Sequence, residues 1–69
     1  MEYSNSRLRE IVDDFIHSER DRRVFLKKYA DNYTFERIAE QEELSVSQVK
    51  RIIKKHYMTV FRRMEPKEN

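Results

Sequence analysis

Apolar residues recur along this chain with the 3.6-residue period of the α-helix, in four stripes separated by very short polar connections. Leu8, Ile11, Val12, Phe15 and Ile16 fall at i, i+3, i+4, i+7 and i+8, which predicts a first helix over about residues 6–17. A second stripe comprises Val24, Phe25, Leu26, Tyr29 and Ala30. Ser18 stands where its N-cap belongs. Asp21, three residues on, is placed to return the capping bond and to suit the helix dipole. Asp31 and Asn32 end this helix, and Asn32 is the best non-glycine candidate for a left-handed residue at its C-terminus.

The third stripe is short: Phe35, Ile38 and Ala39, opening at Thr34 and ending near residues 41–43. The fourth opens at Ser45, with Gln48 at the spacing of a capping box. Val49, Ile52, Ile53, His56, Tyr57, Val60, Phe61 and Met64 carry its helical period toward Pro66, which stops it. Tyr33 with Ile38, and Leu44 with Val49, have the spacing of hydrophobic staples, which set the angle at which the chain joins each helix. Two start signals eleven residues apart predict a short helix, a tight turn and a longer helix. The expected fold is all-α, a small four-helix bundle containing a helix-turn-helix.

Composition narrows the functional classes. The chain has 69 residues, of which 41% are charged, with one proline and neither glycine nor cysteine. Average usage would supply roughly five glycines. Hairpin turns, phosphate-cradling loops and dinucleotide-binding turns all lean on glycine's access to positive φ, so their absence favours helices. Without cysteine there is no disulfide framework, thiolate metal site or cysteine nucleophile. The length predicts a single domain over 1–69, and no apolar run has the length of a signal-peptide core or a membrane span. A soluble, cytoplasmic protein with no membrane partner is expected.

Net charge is +2, and its distribution is more informative than its value. Residues 1–17 sum to −2, residues 18–33 to +2 and residues 34–44 to −3. Residues 45–64 carry Lys50, Arg51, Lys54, Lys55, Arg62 and Arg63 with no acid, and the tail over 65–69 adds −1. A strongly cationic segment in a nearly neutral chain points to a polyanionic partner. In the predicted helix-turn-helix, Val49 and Ile52 bury against Ile38 and the small Ala39. The outer face then shows Ser47, Gln48, Lys50, Arg51, Lys54 and Lys55, which are side chains able to reach base edges and phosphates.

The stretch Arg23-Val-Phe-Leu-Lys-Lys-Tyr-Ala-Asp-Asn-Tyr-Thr-Phe-Glu-Arg-Ile-Ala39, continuing through Ser45 to Ile52, resembles region 4 of bacterial sigma factors. The extracytoplasmic-function type is the most similar in character, and small phage transcription regulators built on the same module are also similar. The likeness covers about residues 18–64, leaving 1–17 as an additional N-terminal helix and 65–69 as a tail. It implies binding to promoter-type double-stranded DNA, with a recognition helix over about 46–64 in the major groove, and contact with RNA polymerase or a sigma-related protein. By position, Ser47, Gln48 and Arg51 match the family's base-reading sites. Lys50, Lys54 and Lys55 match backbone-contacting or flanking sites, and Thr34 and Ser45 match caps that approach phosphates. Where the family usually has glycine before Thr34, this chain has Asn32; in the turn it has Glu42 and Glu43 in place of an apolar residue and glycine. A left-handed Glu43 costs on the order of 1 kcal/mol.

Plainer readings account for the remaining features. Phe15, Phe25, Tyr29, Phe35, Tyr57 and Phe61 read as core rather than as a base-stacking platform, and His17 and His56 as structural. The adjacent pairs Asp13-Asp14 and Glu42-Glu43 suit a solvated surface better than acid–base chemistry. Nothing assembles a nucleophile, a base and an oxyanion donor, so neither an enzyme nor a cofactor or metal site is expected. A rival to DNA reading is a protein-interaction module that mimics region 4, favoured by the acidic run over 36–43. The stripe of the first helix either completes the monomer core or supplies a homodimer interface.

Overall fold

The chain forms α1 (Asn5–Phe15), α2 (Glu19–Tyr29), α3 (Phe35–Glu42) and α4 (Val46–Met64). The structure, a computed structural model, describes residues 5–64; Pro66 and the tail over 65–69 lie outside the described residues. The expected four-helix bundle is therefore present, and its helices begin where the caps predict. Ser18 Oγ accepts from Asp21 N at 3.2 Å and Thr34 Oγ1 accepts from Arg37 N at 3.1 Å. At α4 the box is complete, with Ser45 Oγ accepting from Gln48 N at 3.1 Å and Gln48 Oε1 accepting from Ser45 N at 2.8 Å. α1 is shorter at its end than the stripe predicts: it stops at Phe15, and Ile16 lies in the connection yet is fully buried. Arg22 Nη1 ties that corner by donating to the Ile16 carbonyl at 2.8 Å.

α4 packs against each of the other three helices, while α2 also packs on α1 and on α3. Val49, Ile52, Ile53, Val60 and Met64 form its buried face. They join Leu8, Ile11, Val12 and Ile16 from the N-terminal segment, Val24 and Phe25 from α2, and Ile38 and Ala39 from α3 in one core. Four of the five stripe residues, Leu8, Ile11, Val12 and Ile16, thus belong to the monomer core. Tyr33 and Leu44 pack against the same cluster as Ile38 and Val49, in keeping with the two staples.

Both turns that lack glycine adopt left-handed backbone. Asn32 has φ 61° and Glu43 has φ 58°. Beyond Glu43, the backbone N–H of Leu44 returns to the Ala39 carbonyl at 2.9 Å, which satisfies a carbonyl at the end of α3 and reverses the chain. Seating Val49 and Ile52 in the core is worth roughly 1.5–3 kcal/mol each, more than the backbone cost of about 1 kcal/mol at Glu43. Packing decides the turn, and glutamate tolerates it.

Two acids and two aromatics depart from the sequence expectations. Glu42 is not solvated: its side chain is 6% exposed and accepts from Arg23 Nη2 at 3.0 Å and from Lys27 Nζ at 2.8 Å. The reason is position, since a carboxylate at the C-terminal end of α3 opposes the helix dipole and is held only by cations from elsewhere. Arg23 and Lys27, one turn apart on α2, supply them. Asp21 gives its N–H to Ser18, but its carboxylate does not return the bond; it turns inward, 3% exposed as a residue, toward α4. His56 Nε2 donates to Asp21 Oδ2 at 2.9 Å and Arg20 Nη2 donates to Oδ1 at 3.1 Å. His56 is structural as expected, with a partner 35 residues away in sequence. Phe15 and Tyr57 lie at the margin rather than in the core, 39% and 45% exposed. Arg63 covers the first at 4.0 Å, and the second stacks on Phe61 at 4.8 Å.

These pairings make stability depend on acid. Hydrogen bonds from Arg23, opposed by burial and aided by Lys27, lower the Glu42 carboxyl from 4.5 to about 2. Burial pushes Asp21 up, but His56 and Arg20 outweigh it and hold that carboxyl below its ordinary value. A folded-state value below the unfolded one contributes stability that is complete above about pH 4.5 and disappears as pH falls through about 2. Glu42→Gln should lower stability at pH 7 by about 1–2 kcal/mol, a figure discounted for the half-exposed Arg23. Its melting temperature should also fall less steeply than the parent's between about pH 5 and pH 2; identical profiles in thermal melts would contradict the assignment. Glu43→Gly should relieve the turn and raise the melting temperature by about 3–6 °C.

Candidate nucleic-acid interface

α4 presents two chemically distinct faces, and the helical repeat dictates which residues fall on each. At about 100° per residue, Lys50, Lys54, Ser47, Arg51, Lys55 and Gln48 follow one another across an arc of about 160°. Val49, Ile52 and Ile53 centre on the opposite side and are buried, while all six residues of the arc are exposed. Ser47 and Arg51 occupy the middle. Lys50 and Lys54 flank them on one side, Lys55 and Gln48 on the other. Among the described residues, no carboxylate forms an ion pair with Lys50, Arg51, Lys54 or Lys55.

Not every candidate is equally free. Gln48 is on the rim of the arc, and its side-chain oxygen is engaged by the Ser45 backbone, which leaves its NH₂ as the group able to face a ligand. Thr34 and Ser45 use their hydroxyl oxygens as cap acceptors, so each keeps an O–H to donate. Both are exposed, Thr34 at the start of α3 and Ser45 at the start of α4. Thr34 and Ser45 thus stand at the starts of the two helices that the turn at Glu43 joins, and the basic arc lies on the second of them.

The acidic run divides. Glu42 is neutralised internally, whereas Glu36, Glu40 and Glu43 remain exposed. Glu36 and Glu40, one turn apart, share the outer face of α3. Sequence reading also passed over two cations. Lys28, at the end of α2, has its Nζ 4.2 Å from the Phe35 ring centroid, and Lys50 Nζ is 5.4 Å from the same centroid. Arg37 lies 4.3 Å over Tyr33. Arg37 sits three residues after the Thr34 cap, a spacing that was available as a signal; Lys28 and Lys50 share the Phe35 ring only because α2 and α4 both pack on α3.

No group of three or more His, Cys, Asp or Glu side chains gathers at metal-binding distance among the described residues. None of their helices is long and apolar enough to cross a membrane. Neither a curated protein nor a solved structure matches the chain. The family model for Sigma-70, region 4 matches residues 18–55, from the Ser18 cap through the helix-turn-helix to the last cation of the basic arc. Because that match takes in more than half of the chain, including α3 and the first half of α4, the protein belongs to the Sigma-70, region 4 family.

Proposed function

We propose that this protein is a DNA-binding transcriptional regulator that lays the N-terminal half of α4 in the major groove of double-stranded DNA. The observation that carries the reading is the basic arc: four cations that no carboxylate pairs with among the described residues, opposite a fully packed face, on the second helix of a helix-turn-helix. Ser47 and Arg51, central on the arc, read base edges, with Arg51 suited to a bidentate bond to guanine. Gln48 adds a contact through its amide NH₂ from the rim. Lys50, Lys54 and Lys55 contact backbone phosphates to either side, and the hydroxyls of Thr34 and Ser45 donate to phosphates where α3 and α4 begin.

A single module of this size makes few phosphate contacts, so its affinity is modest and falls steeply with salt. Useful specificity then comes from acting together with RNA polymerase. The exposed acids Glu36, Glu40 and Glu43 favour a second reading, in which the domain engages a basic surface of polymerase or a sigma-related protein and reads no DNA. The two readings separate on selection of bound sequences from random duplex DNA, with and without polymerase. DNA reading predicts enrichment of a motif; no enrichment in either condition sinks it in favour of the protein contact.

Within the DNA reading, the roles differ by residue. Arg51→Ala should cost about 1–3 kcal/mol on the selected site and relax preference at one base pair. Lys54→Ala should weaken all duplexes alike and lower the salt slope by about one. Equal, sequence-independent losses for the two variants would refute base reading by Arg51.

A further inference from the structure

The cations of α2 are almost all matched by acids. Arg20 pairs with Asp21, Arg22 with Asp13, and Arg23 and Lys27 with Glu42. Lys28 is the exception: among the described residues no carboxylate pairs with it. It is placed instead over Phe35, with Nζ 4.2 Å from the ring centroid and 3.4 Å from the Tyr33 carbonyl oxygen to which it donates. Lys50, from α4, converges on the same ring, and Arg37 lies over the neighbouring ring of Tyr33. Between the two rings in sequence stands Thr34, whose hydroxyl proton is not used by its cap. Glu36, the nearest acid along the chain, is exposed and pairs with none of the three cations.

We propose that Lys28, Arg37 and Lys50, with the Thr34 hydroxyl, form a seat for a backbone phosphate of duplex DNA, which adds Lys28 and Arg37 to the contact surface. Bringing Lys28 and Lys50 over one ring, with Arg37 over the ring two residues before it in sequence, is electrostatically unfavourable without an anion, and the rings return only a modest attraction to each. An oxyanion reverses the balance, because each ammonium and guanidinium keeps further N–H donors and the hydroxyl adds one. Phe35 and Tyr33 act as positioning residues: they hold the cations in place and leave those donors outward. A nucleic-acid phosphate is favoured over a protein carboxylate by continuity, since Lys50 belongs both to the seat and to the flank of the α4 arc. A duplex whose groove receives Arg51 passes its flanking strand over Lys50 and toward Lys28.

This inference rests on the DNA-binding reading, and one titration series separates the two. Anisotropy of a labelled mixed-sequence duplex of about 25 base pairs, long enough for several overlapping non-specific sites, would be followed against salt for the parent chain, Lys28→Gln, Lys28→Arg and Arg9→Gln. Arg9 is an exposed cation on α1, a helix that contributes no residue to the seat, so its variant matches the charge change outside the seat. Lys28→Gln should weaken binding about three- to ten-fold near 0.1 M salt and reduce the salt slope by about 0.9, one phosphate's worth. Lys28→Arg should restore both, which shows that charge and not folding is being read, and Arg9→Gln should change neither. A Lys28→Gln variant indistinguishable from Arg9→Gln overturns the seat while leaving the DNA reading intact. Absence of salt-dependent binding by the parent chain overturns the DNA reading and the seat with it.

Discussion

The burial of one face of α4 is the constraint on which the rest of this small structure depends. A domain of this length buries a limited fraction of its surface, and here the other three helices converge on the same partner. Val49, Ile52 and Ile53 set the rotation of the first half of α4, and Val60 and Met64 set the second. Once that rotation is chosen, the positions of Ser47, Lys50, Arg51, Lys54 and Lys55 follow without further freedom. The outer arc is polar and cationic because it is what the core does not use. Changing the core register would therefore move the candidate contact surface as a unit.

Charge pairing then sorts the remaining cations. Glu42 draws Arg23 and Lys27 toward the end of α3, and Asp21 draws His56 of α4 and Arg20 toward the start of α2. Both links join α2 to the helices of the helix-turn-helix, so they orient the module as well as satisfy buried oxygens. Breaking one partner of such a link is costly because the other is left without compensation. The same links remove positive charge from the α2 surface. Of the cations on α2 and α4, those that no carboxylate pairs with among the described residues lie on α4 and at Lys28.

The turn between α3 and α4 shows how a fold can proceed without its preferred residue. Glycine would reach the left-handed region at no steric cost, and Glu43 reaches it at φ 58°. The capping box at Ser45 and Gln48 and the bond from Leu44 N to the Ala39 carbonyl hold the reversal from both sides. Glu43 also leaves an exposed carboxylate beside Ser45, close to the start of the basic arc. It lies two residues before Ser45, and it would repel a phosphate brought to the Ser45 hydroxyl.

Much of the architecture was legible in the amino-acid order because it depends on local rules. Caps at Ser18, Thr34 and Ser45, a left-handed Asn32 and a basic face on α4 all follow from residue types and spacings within one or two turns, while the left-handed Glu43 was implied by the family resemblance. The fates of Glu42 and Asp21 were not read, although signals existed: Arg23 and Lys27 stand one turn apart on α2, and Asp21 shares a face with Val24 and Phe25. Phe15 and Tyr57 misled because helical period gives the direction of a side chain and not how far the core extends. Sequence by itself determined the four helices, the glycine-free turn and the separation of α4 into an apolar and a cationic face, since each is set by neighbours a few residues away. Only the tertiary structure decided that Glu42 is sequestered, that His56 answers Asp21 and that Lys28 meets Lys50 over Phe35. Those pairings span 15 to 35 residues, and electrostatic and packing contacts at that separation exist only once the helices have docked.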